Sequence, residues 1–167
     1  PTLWSKFYVD LVAEPARMTG TPDEAASIVT IDMPGVTRHR YRVFPLEDHI
    51  ADKLIATVQT YGADERESTR YKDLADLAAI ASVATVDCRR LRHAIDTERV
   101  RRDIALPASF GLRTPERWRT GYVNDVRWIA DSSPAPFDDA LALVRRFIDP
   151  ILDGSASGAW DPAASAW

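Results

Sequence analysis

The chain has 167 residues, 46% of them hydrophobic and 28% charged, with a formal net charge of −4. These are the proportions of an ordinary globular domain with a core of its own. The single cysteine, Cys88, excludes an intramolecular disulfide and argues against a cysteine-ligated metal centre. No stretch reaches the ~18 apolar residues of a membrane span, and no basic-then-apolar leader opens the chain, so a cytoplasmic protein without a membrane partner is expected.

The first 44 residues read as strands. In "KFYVDLVA", Phe7, Val9 and Leu11 alternate with Tyr8, Asp10 and Val12, the period of two of a half-buried strand. "EPARMTGTPDEA" reads as a loop. "SIVTIDM" and "RHRYRVF" flank Pro34 and Gly35, which predicts a hairpin.

From Pro45 the period changes. Leu46, Ile50, Leu54 and Val58 recur every four residues, with Pro45 at the helix start, Glu47 and Asp48 in its first turn, and Gly62 to end it. After the charged loop "ADERE", Ser68 or Thr69 can cap a second helix carrying Leu74, Leu77, Ile80 and Ala81. Asp87 opens a third, running to about Asp103, with Leu91, Ile95 and Val100 inward. "LPASFGLRTP" is a linker. A fourth helix spans "PERWRTGYVNDVRWIA", and a fifth spans "PFDDALALVRRFIDPIL". The tail, "DGSASGAWDPAASAW", is low in complexity and expected to be loosely held, unless Trp160 and Trp167 dock on the bundle. The fold class is therefore α+β: a short antiparallel sheet over residues 1–44, a helical bundle over 45–153, and a tail over 154–167.

Charge is unevenly spread. Residues 38–119 carry sixteen bases and thirteen acids, whereas the segments on either side are net acidic. Arg89, Arg90, Arg92, Arg99, Arg101 and Arg102 crowd the third helix. Arginine forks suit phosphate oxygens, and a solvated helix face is the competing reading.

A short connection makes the first two helices an antiparallel hairpin, whose facing ends meet at the loop. Lys53, about two turns before the end of the first, can then approach Asp73 in the first turn of the second. Arg70, Lys72 and Asp76 share that neighbourhood, and Lys72 and Asp76, four apart, can pair. A lysine held by an aspartate beside an arginine is a plausible phosphate cradle; a structural salt bridge is the alternative. His49 lies one turn before Lys53 and could face the site, but packing or solvent is the better explanation of a lone histidine. His39 and His93 lack metal-ligand spacing. Asp32 beside a turn and Trp118 and Trp128 on a helix suit structural roles.

"YRVFPLEDHIADKLIATVQTYG" followed by "STRYKDLADLAAIA" resembles the second half of the AbiEii/AbiGii family of nucleotidyltransferase toxins, closely over Tyr41–Ala81 and more loosely from Phe7 to "FIDPIL". The resemblance implies that Lys53 contacts a nucleoside triphosphate and that Asp73 is required for activity. Arg70, Lys72 and Asp76 would assist substrate binding. It further implies transfer of nucleotides, from CTP or another pyrimidine triphosphate, to the 3′ end of tRNA, relief by a cognate antitoxin, and Mg²⁺ on the departing pyrophosphate. Asp10 resembles the third metal-binding carboxylate of the polymerase-β-like core, and residues 1–44 would be part of that core's sheet. A polar residue on an exposed strand face is the other reading of Asp10.

The family's Gly-Ser and Asp-x-Asp elements do not occur together in the 167 residues. The chain is therefore expected to be the C-terminal portion of a longer enzyme, or else a non-catalytic remnant or module that binds an antitoxin or nucleic acid. A lone Asp10 cannot clamp two metal ions, so catalysis by this chain alone is not expected.

Overall fold

The computed structural model describes residues 18–27, 33–35, 37, 39–127 and 135–167. The strand expected over "KFYVDLVA" with Asp10, together with Asp32 and Trp128, lies outside the described residues. The elements run β1 (Asp23–Ala25), β2 (Tyr41–Val43), α1 (Leu46–Val58), β3 (Thr60–Tyr61), β4 (Arg66–Glu67), α2 (Tyr71–Val83), β5 (Val86–Asp87), α3 (Cys88–Arg101), α4 (Pro115–Val126), α5 (Phe137–Leu152) and β6 (Ala159–Trp160). The class is α+β, with five helices and three two-stranded antiparallel sheets among the described residues.

β1 pairs with β2 in the register Asp23↔Val43 and Ala25↔Tyr41. The two strands lie on either side of Pro34 and Gly35, and β1 falls in the stretch read as a loop. All six residues of these strands are exposed.

α1 begins after Pro45, with Glu47 and Asp48 in its first turn complementing the positive helix start. It ends at Val58, four residues short of the expected Gly62. Gly62 has φ +76° and serves instead as a turn residue of the β3–β4 hairpin, formed from the stretch expected to be an open loop. α2 starts at Tyr71 with Arg70 as its N-cap and no side-chain capping bond, so neither Ser68 nor Thr69 caps it as expected. α3 is capped as its sequence predicts: the Asp87 carboxylate accepts from the backbone N–H groups of Arg89 and Arg90.

The core fills the space between the helices. Ile50, Leu54, Leu74, Leu77, Leu91, Trp118 and Phe147 are fully buried. α1 packs on α2 and α3, and α2 packs in turn on α4 and α5. Val100 departs from expectation, being 70% exposed. It falls five residues after Ile95, off the stripe that Leu91 and Ile95 begin, because inward positions recur at three and four.

The tail is not loose. β6 pairs with β5, Trp160 is fully buried, and its indole donates to the Ala81 carbonyl at 2.7 Å. Trp167 stacks on Phe147 with ring centroids 5.5 Å apart and donates to the Phe147 carbonyl at 2.8 Å. Two large rings supply apolar area that the Ser/Gly/Ala composition around them conceals.

Candidate active site

α1 and α2 are joined by residues 59–70, which hold the β3–β4 hairpin; the helices pack on each other, and the connection is fastened from inside. Ser68, just before α2, is buried; its Oγ donates to the Ala56 carbonyl at 2.7 Å and accepts from the Arg70 N–H at 3.2 Å. One hydroxyl thereby satisfies an orphan carbonyl at the end of α1 and sets the backbone entering α2. The sequence reading gave Ser68 a capping role within α2 and missed this bridge, although a serine between two helices was visible.

On that frame, Lys53 Nζ reaches Asp73 Oδ1 at 3.1 Å and Asp76 Oδ2 at 2.5 Å. The Lys53 and Asp73 side chains are 12% and 11% exposed, whereas that of Asp76 is 45% exposed. Arg70 Nε stands 3.8 Å from Asp73 Oδ2, with its side chain largely in solvent. Asp73 is therefore shared between a nearly buried ammonium and an exposed guanidinium. The expected Lys72–Asp76 pair is not formed: Asp76 turns across the helix interface to Lys53, and Lys72 is exposed. The reason is burial, since a desolvated ammonium needs acceptors more than a hydrated one does.

Burial by itself pulls the Lys53 pKa down. Hydrogen bonds to Asp76 and Asp73 more than offset this, and the group is held above its ordinary value of 10.5. His49, one turn earlier on α1, is shifted below 6.5, first by burial and then by the Lys53 charge, against the opposing pull of Asp76, Asp52 and Asp73. His49 thus belongs to the electrostatic neighbourhood of the lysine.

Much of the basic character of α3 is neutralised locally. Arg99 pairs with Asp96 at 2.7 Å, Arg101 pairs with Glu98, and Arg102 bridges Glu98 to Asp52 of α1 while donating to Gln59 at 3.0 Å. Arg89 and Arg90 are exposed at the start of the helix. Arg102 is an anchor between α3 and α1, a role its charge run did not disclose.

The larger cavities lie elsewhere. One of about 410 Å³ is bordered by Thr19, Glu47, Arg90 and His93, and one of about 480 Å³ lies between α3 and α5. Lys53, Asp73 and Asp76 line neither. Among the described residues, no group of three or more His, Cys, Asp or Glu side chains could hold a metal. Asp73 and Asp76 converge on an ammonium, whose charge would repel a cation. These residues do not fit a Mg²⁺ site, and Asp10 lies outside the described residues.

The cluster is a nearly buried lysine held in its charged form by Asp73 and Asp76, with Arg70 at its edge. Residues 12–161 match the family described as nucleotidyl transferase AbiEii toxin, type IV toxin–antitoxin system. The chain belongs to this family of nucleotidyltransferase toxins. Neither the search of curated proteins nor that of solved structures gives a match.

Proposed function

We propose that the chain forms the C-terminal part of a toxin that transfers nucleotides from a nucleoside triphosphate, pyrimidine by preference, to the 3′ end of tRNA. In this reading the tRNA 3′-hydroxyl attacks the α-phosphorus in line and pyrophosphate leaves. Lys53 binds the triphosphate and offsets the charge that develops as the bond to pyrophosphate breaks. Asp73 orients Lys53, while Arg70 and Lys72 add positive potential at the entrance. Residues 1–44 would contribute to the catalytic sheet and 45–153 to the bundle beside it. The setting is the cytoplasm, and a cognate antitoxin restrains the activity. The implied Mg²⁺ would require carboxylates beyond the described residues, with Asp10 a candidate.

The observation that carries the reading is the approach of Lys53 to Asp73 at 3.1 Å across the α1–α2 hairpin, in a chain of this family. Its test is nucleotide transfer from labelled triphosphates to total tRNA, using the longest in-frame product that contains these residues. Lys53→Ala and Asp73→Ala, each checked for folding, are expected to abolish transfer and toxicity. Full activity in both would remove the pair from the mechanism.

A second reading, a module that binds an antitoxin or nucleic acid without catalysis, is favoured by one feature. The Lys53 ammonium is already satisfied by two carboxylates. It predicts antitoxin or tRNA binding that survives Lys53→Ala, with no transfer by any in-frame product.

A further inference from the structure

The two carboxylates on Lys53 are not equivalent. Asp73 is nearly buried and also faces Arg70, whereas Asp76 is four times as exposed and has Lys53 as its one ion-pair partner among the described residues. We propose that Asp76 occupies the position on Lys53 that a phosphate oxygen takes when substrate binds, so that it is a displaceable cover over the site. This rests on the reading of Lys53 as the triphosphate-binding residue and adds how that residue is closed and opened.

The exchange is physically favourable in two respects. One anionic oxygen replaces another, so the buried ammonium never loses its second acceptor and incurs no fresh desolvation. Asp73 cannot play this part, because its departure would strand a nearly buried carboxylate. The released Asp76 also has a destination: Lys72 is exposed and one helical turn away, the spacing at which opposite charges pair. The pair expected from the sequence is then the open state, and the observed Asp76–Lys53 contact the closed one.

Asp76→Asn keeps the shape and removes the competing charge. Calorimetric titration of the folded chain with inorganic triphosphate is expected to show binding about tenfold tighter in this variant than in the native protein, the scale of one charge-assisted contact. The gain should persist at about 0.5 M salt, where a general field effect is screened but competition at a contact is not. Lys53→Met in the Asp76→Asn background should abolish binding; if that variant does not fold, adding Asp73→Asn removes the stranded carboxylate. Binding that depends on Lys53 but is unchanged or weaker in Asp76→Asn overturns the displaceable cover and leaves the lysine as the phosphate site. A gain that vanishes at high salt overturns it as well. Binding indifferent to Lys53, or none in any variant, overturns the reading of Lys53 itself.

Discussion

At the residue scale the decisive group is Lys53, whose charge is stabilised in the folded state by Asp76 and Asp73 beyond what burial removes. Its folded pKa lies above 10.5, so the contribution to stability is fully present below that value and lost as pH rises through the folded pKa. Thermal unfolding followed into the alkaline range should therefore show a loss of stability above pH 10.5 that is smaller in Lys53→Met. At neutral pH the same substitution strands Asp73 and should cost about 3 kcal/mol, with part recovered by adding Asp73→Asn. His49 has the opposite sign. Its pKa is depressed by burial and by Lys53, so its contribution is present above 6.5 and lost as pH falls through the folded value. His49→Gln should flatten the stability profile below pH 6.5; an unchanged slope would place the acid sensitivity on other groups.

At the element scale α2 is the member on which three of the other four helices pack, α1 on the site side and α4 and α5 on the rest. Its contact with α4 depends on Gly121. A Cβ added there would lie 2.3 Å from the Tyr71 ring, which also meets Trp118 edge-on at 5.0 Å. Gly121→Ala gains up to ~1 kcal/mol of helix propensity. That gain is smaller than the cost of displacing a ring wedged between helices, and a net loss of about 1–2 kcal/mol is expected in chemical denaturation. Tyr71→Leu in the same chain should relieve part of it. A stabilised Gly121→Ala protein would show that the two helices are free to separate.

Much of this was legible in the sequence, because apolar residues every three or four positions record which face is buried. The starts of α1, α3 and α5 are written in Pro45, Asp87 and Pro136 for the same local reasons that form them. The proximity of Lys53 and Asp73 followed from hairpin geometry alone. What stayed hidden depends on contacts between elements. Gly62 suits a helix end and a hairpin turn equally, and tertiary packing chose the turn. Asp76 had a sequence-local partner in Lys72, but the competition from a buried ammonium on another helix has no local signature.

At the scale of the whole molecule, the last nine residues close the bundle. Trp160 packs against Phe147 at 5.0 Å and Trp167 at 5.7 Å, and β6 pairs with the short segment that joins α2 to α3. Its indole N–H meets the Ala81 carbonyl in the last turn of α2, one of the backbone acceptors a helix end leaves without an internal partner. The tail thus holds the far end of the helix whose first turn carries Asp73. Trp160→Ala removes a fully buried ring together with that hydrogen bond and should cost about 3–5 kcal/mol, a large share of a domain's ~5–15 kcal/mol. Trp160→Phe keeps most of the packing but strands the carbonyl, and a loss of about 1–3 kcal/mol is expected from that term. Denaturant midpoints of the two variants and of a chain ending at Gly158 should fall in the order Phe, Ala, truncation. If the truncated chain unfolds at the native midpoint, the tail is an ornament on the bundle, and the anchoring of α2 must come from α4 and α5 alone.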